Sequence, residues 1–349
     1  YDRLPPFVWP ASPGRKGGRF FHDGRFHTPD GKARMVPVHT PTPAVETVPF
    51  RLNTGRIRDQ WHTMTRSAKS PRLSAHLAEP FLELHPADAE RLALVPADLV
   101  EVTNDLGRAI LRVLITDRVA PGNPFAPMHW TGETASAARI DSLVAAKPDP
   151  VSGQPDSKAV AVTLRKYPAQ WYGFAVSTRD FHPDCGYWAK ARTRSGWRAE
   201  LAGERLVDDW VLRSRQMFNL PSDEVVSVTD TARGIIRLAF HRDEKLVAAL
   251  FIGPEPVILS RDQLAAQLGD GVQQEVLAGQ VRSDRPDPGP TVCSCLNVGL
   301  NTIRSAIETG RATTVSALGE ALGAGISCGS CRPELADLLA RFACKVAAE

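Results

Sequence analysis

Four of the six cysteines in this 349-residue chain fall in two tight pairs, Cys293-x-Cys295 and Cys328-x-x-Cys331, with 32 residues between them. Two close pairs within one short segment are not how a disulfide framework in a chain of this size is usually arranged. Thiolates converging on one place read instead as a metal site. Two metals compete for it. Structural zinc usually takes Cys-x₂₋₄-Cys on both arms, and the single residue between Cys293 and Cys295 departs from that spacing. A 2Fe–2S cluster also takes four cysteine thiolates, two on each iron, and is less tied to it. Cys185 and Cys344 stand apart from any partner at ligand spacing and read as small buried hydrophobes.

The residues around the pairs suit an anionic centre. Asn297 or Asn301 can cap a helix near residues 302–309 that ends at Gly310. Thr314 can cap a second helix through Leu322, closed by Gly323 and Gly325. Pro333 sits where a first helical turn begins, and residues 334–342 continue it. A helix start beside the sulfurs turns free N–H groups toward negative charge. Gly325, Gly329 and Ser330 let backbone come close. In cysteine order, spacing and helical content, residues 291–343 resemble the bacterioferritin-associated ferredoxin-like domain. That resemblance implies a 2Fe–2S cluster on Cys293, Cys295, Cys328 and Cys331.

The first half has a different texture. Short apolar runs at 80–84, 99–103, 109–116, 124–129 and 160–165 alternate with turns such as Asn104-Asp105-Leu106-Gly107 and Pro121-Gly122-Asn123. Pro86 opens a helical turn over 87–92, with His85 at its start. This pattern predicts a barrel or sandwich. The net charge of +3 is too small to argue for nucleic acid, but residues 1–72 carry 13 Lys/Arg against 5 Asp/Glu. Such a local surplus suits a polyanionic ligand such as a nucleotide or pyrophosphate. Within that region a strand at 49–52 runs into Thr54-Gly55-Arg56 and a polar loop ending at Arg66. Its density of donors suits phosphate and pterin or purine edges. A solvated loop with capping threonines fits the same composition.

Trp61-His62-Thr63-Met64-Thr65-Arg66, Ser70-Pro71-Arg72-Leu73, His85-Pro86-x-Asp88-Ala89, Met128-His129-Trp130-Thr131 and Ser152-Gly153-Gln154-Pro155-Asp156-x-Lys158 are similar to the dinucleotide-binding domain of molybdopterin oxidoreductases. Phe21-x-Asp23-Gly24-Arg25-Phe26 resembles the chain entering that domain. The likeness implies a double-psi β-barrel over residues 45–166, preceded at 1–44 by the tail of another domain. Thr54, Gly55, Arg56, His62, Thr63 and Thr65 would contact a molybdenum bis(molybdopterin guanine dinucleotide) cofactor, with Asn104, His129, Gln154 and Lys158 as looser assignments. Joined to a 2Fe–2S domain, the barrel resembles the assimilatory nitrate reductase branch of the family. Nitrate is then the substrate, and a ferredoxin, a flavodoxin or an NADH-dependent reductase subunit the electron donor. The 2Fe–2S domain would relay electrons from that donor to the molybdenum centre. Other branches, formate dehydrogenases among them, share the barrel, and a non-catalytic 2Fe–2S electron-transfer module is an alternative of another class.

The chain begins at Tyr1 without Met and reads as the C-terminal part of a longer polypeptide. The molybdenum ligand and a 4Fe–4S cluster are expected upstream, so no catalytic residue is assigned here and the piece alone is not expected to turn over. Residues 167–283 read as a small α+β domain, with a helix at 205–217, a hairpin at 235–252 and a Ser260-capped helix at 261–268. The hairpin weakly resembles the small domain that precedes the 2Fe–2S module in flavin-dependent nitrite reductases. No glycine-rich fingerprint accompanies it, so no flavin or NAD site is assigned. His182, Asp184 and Cys185 lie close in sequence without metal-ligand spacing, and proline-rich 284–290 is a linker. The whole is a mixed, multidomain chain: double-psi barrel, small α+β domain and small helical 2Fe–2S domain. No apolar run is long enough to span a membrane, and a cytoplasmic location is expected.

Overall fold

The computed structural model describes residues 2–5, 7, 18–37, 50–271, 274–279 and 288–346. Pro49, residues 38–44 of the expected leading tail, residues 284–287 of the expected linker and the side chain of Cys344 lie outside that set. The part of the chain before Val48 forms a unit of its own. In it Phe26 N–H donates to the Gly31 carbonyl at 2.8 Å, and the Phe21 and Phe26 rings stack at 4.9 Å.

Six strands close a barrel: β1 (Phe50–Gly55), β2 (Phe81–Leu84), β3 (Leu99–Asn104), β4 (Gly107–Ile115), β5 (Phe125–Pro127) and β6 (Val160–Lys166). Their order around it is β1-β5-β2-β4-β3-β6. Two pairs, β1 with β5 and β2 with β4, are parallel, and the other neighbours are antiparallel. The alternation at β1, where Phe50, Leu52 and Thr54 are buried and Arg51 and Asn53 exposed, turns one face of the strand into the barrel core. Short helices α1 (Pro71–Ser74) and α2 (Pro86–Arg91) start at prolines. His85 takes the N-cap of α2, its Nδ1 accepting from Ala87 N–H at 3.2 Å.

A six-stranded antiparallel sheet follows, ordered β10-β11-β12-β7-β9-β8. Its strands are β7 (Trp171–Ser177), β8 (Tyr187–Arg192), β9 (Trp197–Gly203), β10 (Glu224–Asp230), β11 (Ile235–Arg242) and β12 (Lys245–Gly253). Every residue of β7 is buried, because the sheet is covered on both faces. Trp171 and Ala175 pack under α3 (Trp210–Phe218), while Phe174 and Val176 pack under α4 (Arg261–Ala266). Tyr172, Tyr187, Ala189 and Ala202 join the barrel core. The helix expected from residue 205 starts five residues later, because Asp209 accepts from Leu212 N–H at 2.9 Å and holds the cap there. The hairpin expected at 235–252 forms, with Ile235–Arg242 paired antiparallel to Lys245–Gly253.

Barrel and sheet are joined by an ionic cluster. Arg112 on β4 donates to both oxygens of Glu79 at 3.1 Å, and the Tyr187 hydroxyl on β8 donates to Glu79 at 2.7 Å. Arg261 on α4 grips Glu200 on β9 at 2.5 and 3.0 Å, and Arg112 lies 3.9 Å from the same carboxylate.

The last segment has a two-stranded ribbon, β13 (Thr291–Cys293) and β14 (Val298–Gly299), then α5 (Leu300–Glu308), α6 (Val315–Leu322) and α7 (Arg332–Val346). Thr314 caps α6 through Ala317 N–H at 3.1 Å, and Gly323 closes it at φ 77°. Neither Asn297 nor Asn301 takes the N-cap of α5. Gly299 holds that place, since a Cβ there would lie 2.1 Å from the Pro288 carbonyl oxygen.

Candidate cofactor loop and thiol cluster

The end of β1, the end of β5, the end of β3 and the start of β6 share one rim of the barrel: Thr54 pairs with Ala126, Leu52 with Val160, and the Asn104 amide donates to Ala161. The loop 54–66 leaves from that rim. A Cβ on Gly55 would meet the Phe125 ring at 2.8 Å, so any larger residue has to displace that ring. Thr54 is buried and its hydroxyl donates to the Ser157 carbonyl at 2.7 Å, while the Lys158 ammonium donates to the Thr54 carbonyl. Three segments distant in sequence are thus tied at one point.

His129 is the pivot of the loop. Its Nε2 accepts from Ile57 N–H at 2.9 Å and its Nδ1 lies 2.6 Å from the His62 carbonyl, so the proton sits on Nδ1 and the ring is neutral. Burial holds its pKa below the ordinary value of 6.5, although the bond to His62 opposes the shift. Both nitrogens are committed within the chain, so the ring shapes the loop. His62 and Met64 sit at φ 30° and 62°. Met64 is turned into the core, and Trp61, His62, Thr63, Thr65, Arg66 and Arg56 are left exposed. The Trp61 and His62 rings meet edge-on at 4.9 Å.

The remaining expected contacts are placed differently. The Asn104 side chain is used in its own turn: the amide donates to Leu143 at 2.8 Å and the oxygen accepts from Leu106 and Gly107 N–H at 3.0 and 3.2 Å. Gln154 is exposed in a turn organised by Asp149, which accepts from Val151 and Ser152 N–H at 3.1 and 2.7 Å.

In the last segment the four thiols meet two by two. Cys295 and Cys328 lie 3.1 Å apart on the outer side, with Cys328 exposed. Cys293 and Cys331 are hydrogen-bonded to each other and buried. Each pair takes one thiol from each sequence arm. Among the described residues no three His, Cys, Asp or Glu side chains are gathered to hold a single metal ion. Two thiols for each of two irons is the arrangement that a 2Fe–2S cluster uses, whereas a zinc cage draws four ligands to one point. The residues therefore fit the cluster better than the ion. The Ser330 hydroxyl, 3.4 Å away, and the Ser330 N–H bring the Cys328 thiol down to about 7; burial and the neighbouring Cys293 push Cys331 up to about 11. Gly325, at φ 82°, lies against Cys331, and α7 starts directly after it.

One residue of the loop reaches this cluster. The Arg58 guanidinium donates to the Val292 carbonyl at 2.6 Å and to the Ser330 carbonyl at 3.3 Å, and lies 3.3 Å from the Glu334 carboxylate. Behind it, Arg58 donates to His76 Nε2 at 2.9 Å, and His76 Nδ1 in turn donates to Asp59. Burial would raise the Asp59 pKa, but the hydrogen bond from His76 and the charge of Arg58 hold it below the ordinary carboxylate value. In the sequence Arg58 is one arginine among several in the loop. Its partners lie 234 and 272 residues away, and no local pattern announces them. Elsewhere, Cys185 donates to the Tyr187 carbonyl at 3.1 Å, and burial pushes its thiol up to about 12.

Comparison with known proteins agrees with this division. Residues 50–161 match the Molydopterin dinucleotide binding domain, and residues 291–341 match the BFD-like [2Fe-2S] binding domain. A nitrate reductase of Klebsiella oxytoca is 36% identical over 97% of this chain and 39% of its own length. One from Shewanella frigidimarina is 26% identical over 96% of this chain and 40% of its own length. An F420-dependent formate dehydrogenase subunit alpha of Methanocaldococcus jannaschii is 29% identical over 45% of this chain and 23% of its own length. The chain spans about two fifths of the length of the two nitrate reductases. It joins a region that matches the Molydopterin dinucleotide binding domain to one that matches the BFD-like [2Fe-2S] binding domain, and it is similar to bacterial nitrate reductases along nearly its whole length.

Proposed function

We propose that this chain is part of a cytoplasmic, assimilatory molybdenum nitrate reductase, in which nitrate, two electrons and two protons give nitrite and water. The observation that carries the reading is the match to a nitrate reductase along 97% of the chain, extending through the central sheet as well as both cofactor modules. The likeness to the formate dehydrogenase subunit covers only 45% and is weaker. Among the described residues no helix is long and apolar enough to cross a membrane.

When bound, a molybdenum bis(molybdopterin guanine dinucleotide) supplies oxygen-atom transfer and a 2Fe–2S cluster supplies one-electron transfer. This chain's part is to hold both. Arg56, His62, Thr63 and Thr65 line the outer surface of the loop and would meet pyrophosphate and pterin edges, a task suited to a guanidinium and to hydroxyl donors. Thr54 and Gly55 fix where the loop starts, Lys158 braces its first carbonyl, and His129 acts through the loop's curvature. Asn104 shapes the turn between β3 and β4, and Gln154 lies exposed in the turn that Asp149 organises. Cys293, Cys295, Cys328 and Cys331 would hold the cluster, with the exposed Cys328 side toward a donor such as a ferredoxin, a flavodoxin or an NADH-dependent reductase subunit.

The test is the whole enzyme with Arg56 and His62 both changed to alanine. A lost hydrogen bond to a charged group is worth roughly 1.5–3 kcal/mol, on the order of 10–100-fold in affinity. Molybdenum and guanine-dinucleotide pterin content should fall and nitrate reduction with a small artificial reductant should fall with it. Full cofactor content with normal nitrate turnover would remove the loop from the cofactor site. An enzyme that oxidises formate and leaves nitrate untouched would favour the other branch.

A further inference from the structure

Arg58 stands where the cofactor loop and both arms of the thiol cluster come within reach of a single side chain. Its fork enters between the arms. One amino group, Nη2, is bound to the carbonyl of Val292, the residue before Cys293; the other, Nη1, to the carbonyl of Ser330, the residue before Cys331. These are the two buried thiols, the pair on the inner side. The guanidinium side chain is only 21% exposed, and Asp59 and His76 hold it from behind. An arginine so placed does two separable things. Its planar fork fixes the backbone of both arms against the barrel, a geometry that the single point charge of lysine cannot reproduce. Its positive charge is held at the Val292 and Ser330 carbonyls, one residue before each inner cysteine, with Asp59 and Glu334 as the negative groups that it offsets.

We propose that Arg58 is a positioning residue that docks the inner Cys293/Cys331 side of the cluster onto the cofactor loop and raises the reduction potential of the cluster. This rests on the four thiols holding a 2Fe–2S cluster, as proposed above. The reduced cluster carries one electron more than the oxidised one, so a nearby cation stabilises it and its removal lowers the potential. With the inner pair anchored on the loop, the exposed Cys295/Cys328 side is left as the face that meets the donor.

The test compares Arg58→Ala and Arg58→Lys with the parent in the whole, cofactor-loaded enzyme, by hydrogen exchange and by an EPR-monitored redox titration. Arg58→Ala should speed exchange several-fold in residues 291–299 and 330–335 but not in β3 and β4, and shift the midpoint to more negative potential with iron and sulfide retained. Arg58→Lys should speed the same exchange yet keep the midpoint near that of the parent, because it retains the charge and loses the fork. Unchanged exchange in Arg58→Lys, or a midpoint unmoved in Arg58→Ala, would overturn the proposal. If Arg58→Ala does not fold, the lysine variant still decides the docking, and Glu334→Gln, which removes a negative neighbour, should move the midpoint upward; failure to do so overturns the charge effect. Thiols that bind zinc without sulfide would instead refute the cluster reading itself, and exchange would then report on the docking alone.

Discussion

The Ile57 backbone N–H donates to Nε2 of His129 at 2.9 Å, and this bond requires a neutral imidazole. A folded-state pKa below 6.5 means that the folded chain binds the proton less readily than the unfolded one. The stabilisation from this contact is therefore complete above the unfolded value and is lost as pH falls through the folded one. Denaturant melts between neutral and mildly acidic pH should show the parent losing stability below pH ~6.5. His129→Ala should be weaker by roughly 1–3 kcal/mol at neutral pH, with a flatter dependence. Parallel profiles would deny His129 this role.

Gly55→Ala should destabilise the barrel by roughly 1–3 kcal/mol, because its Cβ would sit 2.8 Å from the Phe125 ring. Phe125→Leu, which removes the ring edge, should recover part of the loss in the double variant. A thermal melt of the single and double variants checks both statements. Equal destabilisation with and without Phe125→Leu would show that the contact is not the cause.

Arg112 neutralises two carboxylates where barrel meets sheet, half-buried Glu79 at 3.1 Å and buried Glu200 at 3.9 Å. Arg112→Ala leaves both without that partner, and breaking such a pair on one side costs about 3–5 kcal/mol. Changing Arg112 and Glu79 together, to Met and Gln, should cost less than Arg112→Ala alone, since the uncompensated charge goes too. If the single variant melts like the parent, the cluster contributes nothing net.

Cys328→Ser should lower iron and acid-labile sulfide together, because Cys328 is one half of the outer pair with Cys295. Cys185→Ser should leave both unchanged, its half-buried thiol donating to the Tyr187 carbonyl. Metal analysis with the visible absorption spectrum distinguishes them. Stoichiometric zinc in the parent would sink the assignment.

The local punctuation was legible in the chain. Thr314, Gly323 and the proline at the start of α2 mark helix ends because caps and proline act within a few residues. Short apolar runs between turns marked the strands of the barrel and the Ile235–Gly253 hairpin, whose strands bury residues in a core on each face of the sheet. The cysteine spacing pointed to a cluster, since four thiols need few residues to declare themselves. Where a local signal had two answers, tertiary packing chose. Asn297 and Asn301 are good caps by type, but the Pro288 carbonyl leaves room only for Gly299 at the start of α5. Asn104 and His129 looked like ligand residues, and the fold uses their polar atoms to close a turn and a loop.

What the sequence by itself determined is the inventory: a β-rich half, a helical segment with four paired thiols, and a donor-rich loop behind a glycine. What only the tertiary structure decided is which of these meet. Closing the barrel brings Thr54, Ala126 and Ser157 to one point, and docking the last segment puts the Arg58 guanidinium between Val292 and Ser330. Those encounters depend on strand order and on surfaces formed by residues hundreds of positions apart. A side chain's type and its neighbours in sequence carry no record of them.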